Sequence, residues 1–416
     1  MSVENKEPAI RFKGFSGEWD KKILGDLVQL ENGFAFKSKY FKKEPTKVIV
    51  LTPGSVNIGG GFQADKGQYY DVKQDVPSKY VFKSGDIFIT MTDLTPTAQA
   101  LGFPAFVPND DNTYLHNQRL GKLVGFEGYI DFLFNLLSTP KKQKEIVLTS
   151  SGTTVKHTSP SKFLNRYSRF PKKEEQTKIG NYFQQLDTLI AQHQQKHDKL
   201  LNLKKSLLEK MFPKQEATVP EIRFRRFSGE WEEKQLGDLA DIVRGASPRP
   251  IEDPKWFDKS SNVGWLRIRD VTEQDGRIYH LEQRISKLGE EKTRVLIESH
   301  LLLSIAASVG KPVINYVNTG VHDGFLIFKK PSFDLEYMFQ WLKSFEVKWQ
   351  QYGQPGSQVN LNSDIVKRQE VFMPKPEEQT KIGNLFKQLD TLLTQHQAQL
   401  KKLNNIKQAC LEKMFV

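Results

Sequence analysis

Two hydrophobic rhythms alternate along this chain. In one, apolar residues recur every three to four positions: Ile179, Phe183, Leu186 and Ile190, then Leu200, Leu207 and Met211. The same rhythm returns at Ile382, Phe386, Leu389 and Leu393, then Leu400, Leu403, Cys410 and Met414. That spacing lays one apolar stripe along a helix. No proline interrupts either run. Pro171, Pro374 and Pro376 precede them and Pro213 follows the first, as helix boundaries favour. A stripe this long marks a helix packed lengthwise on another helix, roughly 55 Å at 1.5 Å per residue. In the other rhythm, short β-rich runs at 47–56, 85–92, 264–271 and 301–307 are bounded by Gly, Pro, Asn and Asp. They predict two small α+β domains with exposed loops.

The striped segments are near copies. Residues 174–212 (EEQTKIGNYFQQLDTLIAQHQQKHDKLLNLKKSLLEKMF) and 377–415 (EEQTKIGNLFKQLDTLLTQHQAQLKKLNNIKQACLEKMF) align at an offset of 203, with about two-thirds of positions identical. Upstream of each lies a shorter repeat, IRFKGFSGEW at 10–19 and IRFRRFSGEW at 222–231, followed by LGDL at 24–27 and 236–239. Between these frames the inserts hardly match: VQLENGFAFKSKYFKKEP follows the first and ADIVRGASPRPIEDPKWF the second. Two readings stand: an old duplication whose inserts drifted, or two frames that meet one partner while their inserts meet different targets. One striped helix cannot bury its stripe alone, and two in one chain supply each other's partner. His193 and His396 occupy matching stripe positions, either as pH-sensitive contacts or as polar residues that fix register. Glu174, Glu175, Glu377 and Glu378 suit helix N-termini, and a docking role for the shared Glu-Glu-Gln-Thr-Lys frame stands beside that reading.

Composition narrows the class. The chain has 416 residues, enough for two or three domains, and 61 Lys+Arg against 49 Asp+Glu give a net charge of +12. A basic surplus points to polyanion partners such as nucleic acid. The single cysteine, Cys410, allows neither an internal disulfide framework nor a Cys-rich zinc site, and fits the cytoplasm. No apolar run approaches the ~20 residues of a membrane span, and the N-terminal stretch lacks the apolar region of a secretory signal. Catalytic motifs are missing too. Residues 308–312 (SVGKP) lack the upstream glycine and the hydroxyl residue of a phosphate loop. Gly59–Gly61 has no following helix signal and reads as a turn. The eight histidines form no HExxH and no cysteine-paired site.

The order of insert, helix, insert, helix resembles the specificity subunit of type I restriction–modification enzymes. The resemblance rests on FPKKEEQTKIGNYFQQLDTLI (170–190) and MPKPEEQTKIGNLFKQLDTLL (373–393), on the two SGEW lead-ins, and on GASPRPIEDPKWF…VGWLRIRD (245–270). It implies an α+β chain with a pseudo-two-fold repeat: two globular target-recognition domains separated by two long antiparallel helices. The expected boundaries are domain 1 at 1–170, helix 1 at 171–213, domain 2 at 214–373 and helix 2 at 374–416. Each domain would read one half of a split double-stranded DNA site. Two modification subunits, which bind S-adenosylmethionine and methylate adenine, would dock near the helices. ATP- and Mg-using motor–nuclease subunits would join them, and the chain itself would hold no cofactor or metal and catalyse nothing. A DNA enzyme with its own catalytic site and a protein-only coiled-coil adapter are the alternatives.

Base edges are read by Arg, Lys, Asn and Gln, with other polar groups holding phosphates. In the first insert that singles out Lys37, Ser38 and Lys39; Asn117, Gln118 and Arg119; and Thr153, Thr154 and Lys156. In the second it singles out Arg244, Ser247 and Arg249; Arg267 and Arg269; and Gln354, Ser357, Gln358 and Asn360. Lys204, Lys205, Lys401 and Lys402 read as solvated helix faces. Ile179, Phe183, Leu186, Ile190 and His193 are expected to face Ile382, Phe386, Leu389, Leu393 and His396 across the helix pair.

Overall fold

The computed structural model describes residues 6–71, 73, 76–95, 97–214, 217–306, 309–352 and 361–416. The two striped segments form helices at Lys173–Lys210 and Pro376–Lys413. The chain divides into two units, Met1–His193 with Ala398–Val416, and Gln194–Gln397, so each long helix contributes one stretch to either unit.

In the first unit, strands Gln29–Asn32, Leu120–Val124, Ile87–Thr90 and Pro104–Phe106 form an antiparallel sheet in that order. Beside it, Val48–Val50 pairs antiparallel with Gln68–Tyr69 and parallel with Thr113–Leu115. The strand Ile87–Thr90 is buried throughout, which its unbroken apolar run requires. Ile87 and Ile89 join Phe132 and Leu133 of helix Ile130–Leu137, while Phe88 packs with Phe103 and Leu120 on the other face.

The second unit repeats this topology with different letters. Strands Asp241–Arg244, Phe325–Lys329, Leu301–Ser304 and Pro312–Asn315 form the same antiparallel series, and Arg277–Ile278 adds a parallel edge. Gly264–Leu266 runs parallel to Thr319–Val321, as its counterpart does in the first unit. Leu301 and Leu303 face helix Leu335–Phe345, and Leu302 faces the opposite core. The inserts whose sequences hardly match therefore share one fold. The run 264–271 is only half strand; from Ile268 to Glu273 it is a helix, where Asp270 accepts the Arg267 N–H at 2.9 Å.

The repeated frames explain themselves within each unit. Arg11 donates twice to Glu175, at 2.7 and 2.8 Å, and Arg223 donates twice to Glu378, at 2.7 and 2.7 Å. The lead-in repeat is thus fastened to the helix start. The Ile10 N–H donates to Lys413 O and the Ile222 N–H to Lys210 O, both at 2.9 Å, fastening the same lead-in to a helix end. Gln176 and Gln379 each join the preceding chain to the sheet-covering helix: their side-chain N–H groups donate to Pro171 O and Pro374 O, and their carbonyls accept from Tyr129 N and Asp334 N. The Glu-Glu-Gln frame therefore has an intrachain role.

The expected facing of the two N-terminal stripes does not hold. Ile179, Phe183 and Leu186 pack in the first unit with Cys410, Leu411 and Met414, flanked by Leu403 and Ile406. Ile382, Phe386 and Leu389 pack in the second with Met211 and Phe212, flanked by Leu200, Leu207 and Leu208. Within each unit the start of one helix lies beside the end of the other, and antiparallel packing demands that arrangement. Ile190, His193, Leu393 and His396 are half-buried.

Candidate nucleic-acid interface

In the first unit the edge that carries the candidate residues is built on a glycine. A Cβ on Gly33 would stand 2.1 Å from Asn117 O, so only glycine lets residues 32–34 cross the 116–117 backbone. The crossing is pinned by Phe34 N–H to His116 O at 2.8 Å and Gln118 N–H to Phe34 O at 3.0 Å. It carries the short helical turn Ser38–Tyr40, with Lys37, Ser38 and Lys39 exposed, beside the turn holding Asn117, Gln118 and Arg119. Phe36, Phe41, Thr52, Lys66, Leu94 and residues 117–119 line one open hollow of about 470 Å³. Asn117 Oδ1 accepts the Arg119 N–H at 2.9 Å and shapes the turn. The Gln118 amide and the Arg119 guanidinium are exposed and make no hydrogen bond to the described residues. Thr153 and Thr154 lie exposed in a loop closed by reciprocal Ser151–His157 backbone bonds of 2.9 Å. Lys156 pairs across its ribbon with Asp93, the neighbour of Leu94 in the hollow.

Aromatic rings at this edge escaped the reading of the sequence. Phe34, 36% exposed, lies 5.0 Å from Tyr80 and 5.2 Å from Phe36. Lys39 and Lys79 each sit 4.8 Å from the ring of the tyrosine that follows them. The signal was available as the tripeptide Ser-Lys-Tyr, which occurs at both 38–40 and 78–80. His116 does not serve as a cation. Burial pushes its pKa down to about 4, and its Nε2 lies 3.0 Å from Leu120 O.

The second unit builds the same crossing. A Cβ on Gly245 would stand 2.1 Å from His322 O. His322, held neutral by burial, accepts the Gly324 N–H on Nδ1 at 2.9 Å. Here the polar candidates converge on one acid. Arg244 Nε donates to Asp323 O at 2.6 Å, Ser247 Oγ to Asp323 Oδ1 at 2.8 Å, and Arg249 Nη2 to Asp323 Oδ2 at 2.6 Å. Burial opposes the Asp323 charge, but the Ser247 bond and the Arg249 charge outweigh it and hold the carboxyl below its ordinary range. Arg249 nevertheless stays 72% exposed. Arg267, one residue past the strand paired with Thr319–Val321, donates to Asp270 at 2.8 Å and Glu282 at 3.3 Å. Arg269 pairs with Glu273 at 2.5 Å on an exposed helix turn. Gln354, Ser357, Gln358 and Asn360 lie outside the described residues.

Lys205, Lys401 and Lys402 are exposed as expected of solvated faces, but Lys204 is buried, with Asp390 2.5 Å away. Among the described residues, no group of three or more His, Cys, Asp or Glu is placed to hold a metal ion, and no helix is long and apolar enough to cross a membrane.

The family described as type I restriction modification DNA specificity domain matches residues 16–202 and 228–405. The type I restriction enzyme MjaVIII specificity subunit of Methanocaldococcus jannaschii is 22% identical over 64% of either chain. The MjaIX specificity subunit of the same organism is 20% identical over 95% of this chain and 92% of its own. A crystal structure of the S subunit of a type I restriction–modification system from M. genitalium superposes with a TM-score of 0.66, 15% identity and 99% coverage of both chains. A chain from a structure of type I R-M complex assembly and conformational transition gives 0.52, with 18% identity and 94% and 96% coverage.

Proposed function

The chain belongs to the type I restriction–modification DNA specificity family, and from that premise we propose that it is the non-catalytic DNA-reading subunit of such a complex. The carrying observation is that one scaffold occurs twice and ends in two different reading edges, one open around Gln118 and Arg119 and one gathered on Asp323. Two unlike edges suit a split site with two unlike halves. The open Gln118 and Arg119 side chains supply hydrogen bonds to base edges, and the surrounding lysines and threonines supply phosphate contacts. The long helices then set the gap between the halves.

The helices also suit partner docking. Asn181, Gln185, Thr188, Leu189 and Gln192 form an outward face on the first, and the identical set Asn384, Gln388, Thr391, Leu392 and Gln395 on the second. Leu189 and Leu392 are 43% and 42% exposed. Two equal faces call for two copies of one partner, and the adenine-methylating modification subunit, with its S-adenosylmethionine, fits that requirement. Motor–nuclease subunits bring ATP and Mg²⁺ chemistry to the assembly.

Methylome sequencing tests this reading. A host given this chain with its modification subunit should gain methylated adenines in one bipartite motif. Exchanging residues 28–169 for the matching insert of a relative should change one half of that motif and leave the other intact. Changes spread over both halves, or methylation without a motif, would refute the modular reading.

A further inference from the structure

The hollow at the edge of the first unit has walls of two kinds. Gln118 and Arg119 line it with hydrogen-bond donors, and Phe36, Phe41 and Leu94 line it with apolar surface. Leu94 is 61% exposed, so its side chain buries little in the fold. Its position is nevertheless fixed. The neighbouring Asp93 is buried, and its Oδ1 accepts the Thr95 N–H at 2.7 Å and the Thr95 hydroxyl at 2.8 Å. Asp93 Oδ2 accepts the Ala100 N–H at 2.6 Å. These bonds hold Asp93 inward, and side chains alternate along an extended chain, so Leu94 is presented outward.

The other strand of the ribbon ends in the same way. Lys156 pairs with Asp93 in antiparallel register, so Val155 is the next residue at the end where Leu94 lies, and it is 39% exposed. Gly152 shapes that loop: its φ is 95°, and a Cβ there would stand 2.0 Å from Val155 O. Two apolar side chains are thus displayed at one ribbon end in a basic setting, with Lys66 and Arg119 on the hollow and Lys156 beside Val155. A phosphate is held by cations, hydroxyls and N–H groups and has no use for leucine and phenylalanine. The centre of a protein-binding patch is depleted of charge, and this one is not. In the major groove of DNA, by contrast, an apolar group stands directly among hydrogen-bonding base edges: the C5-methyl of thymine. It lies across the pair from the adenine edge that an amide reads, and a neighbouring guanine offers the edge that a guanidinium reads.

We propose that Leu94, backed by Val155, packs on the C5-methyl of a thymine in the first half-site, beside base edges taken by Gln118 and Arg119. An apolar side chain is then a specificity-determining residue of this edge, and one letter of the half-site is assigned. The polar residues alone would distinguish adenine and guanine edges; the leucine adds rejection of cytosine, which has no methyl at that place. The inference rests on the first unit being a DNA-reading domain.

The assembled complex tests this once methylation mapping has given the motif. Duplexes carry deoxyuridine in place of each thymine of the first half-site in turn, which removes the methyl and keeps every base pair. By fluorescence anisotropy, wild type should lose about fourfold in affinity at one position, equal to about 0.8 kcal/mol, the worth of one buried carbon. In Leu94→Ala, thymine and deoxyuridine at that position should bind alike, with melting unchanged because the side chain is exposed. Val155→Ala should shrink the same ratio in part. Thymines of the second half-site should respond identically in wild type and Leu94→Ala. A first half-site in which no thymine responds would overturn the proposal, and so would a fourfold response that Leu94→Ala leaves in place. If Leu94→Ala weakens thymine and deoxyuridine duplexes equally, the leucine is a wedge between base pairs and the methyl assignment falls. A wild-type complex that prefers no motif would overturn the DNA-reading function itself, and this inference with it.

Discussion

Asn117 and Asp323 sit in the same turn of the same fold, each directly after a histidine, and in each unit a glycine crosses the backbone there with a Cβ that would collide with Asn117 O or His322 O. Their side chains take opposite parts. Asn117 folds back on the Arg119 N–H and leaves the neighbouring guanidinium open, whereas Asp323 binds the Arg249 guanidinium and the Ser247 hydroxyl. Around the first, the exposed Phe34 ring lies on the half-buried Tyr80; at the matching backbone position of the second, Ala246 O accepts the Thr293 hydroxyl. What is shared is backbone geometry, fixed by glycine and hydrogen bonds that need no particular side chain. A recognition edge can change every letter it presents while such a frame holds.

That contrast is broken most severely by attacking the shared frame. Glu175 and Glu378 are 2% and 1% exposed, and each takes both forks of an arginine. Truncating either to alanine leaves a guanidinium without its counter-charge, a loss of about 3–5 kcal/mol when such a pair is buried. Glu175→Ala and Glu378→Ala should destabilise equally, each lowering the melting of its own unit in calorimetry. A large difference between them would show that the frames are not equivalent.

A smaller effect should separate the units. In the second, Arg277 lies 2.7 Å from Glu336 and 3.0 Å from Asp390, so Arg277→Ala leaves both with fewer cations in a buried cluster and should cost about 2–3 kcal/mol. In the first, Lys407 lies 2.6 Å from Asp187, and Lys407→Ala removes one partner from that more exposed acid and should cost under about 1 kcal/mol. Acid sharpens the difference. Glu336 and Asp390 are held below their ordinary 4.5 and 3.8, so they add stability above those values that is lost as pH falls through their lower folded pKa values. Asp131, in the first unit, is raised above 3.8 by burial and by the Asp187 charge, so its penalty is largest at neutral pH and is relieved as pH falls through its folded value. Between neutral pH and about 3, hydrogen exchange should show the Arg277 cluster loosening while the Asp131 site holds or tightens. Parallel loosening in both units would contradict the assignment.

The apolar stripes made both helices legible, because a period near 3.6 is local information. Their partners were not, since the register of Ile179 against Cys410 and Met414 follows from antiparallel packing across a long loop of chain. The repeats showed Arg11 and Glu175 as fixed letters but not as a pair, because 164 residues separate them. Lys204 read as a solvated lysine because Asp390 and Arg277 approach it only in the fold. In the candidate interface, Asn117, Gln118 and Arg119 stood out as a contiguous polar run. Phe34 and Tyr80 did not, since sheet pairing alone brings them together. The common fold of the two inserts was hidden for the same reason: Gly33 and Gly245, or His116 and His322, gain meaning only beside the strand they touch.

The smallest expected effect comes from exchanging the two turn residues themselves. Asp323→Asn keeps the shape and removes the charge that holds Arg249, while the Arg244 bond to the Asp323 main-chain carbonyl is untouched. Folding should change little, because the pair is largely solvated and such pairs contribute about 0–1 kcal/mol. DNA binding should respond instead. A released Arg249 that neutralises one more phosphate steepens the slope of log K against log salt by about 0.9. Affinity for unrelated DNA should rise with it, and discrimination within the second half-site should fall. Asn117→Asp should act in reverse: a carboxylate two residues from Arg119 draws the guanidinium inward, and the salt slope becomes shallower by a similar amount. Both are measured on the assembled complex by fluorescence anisotropy over a salt series. If neither slope moves while both variants fold, Arg119 and Arg249 are not on the DNA, and the two edges differ for some reason other than how each presents its arginine.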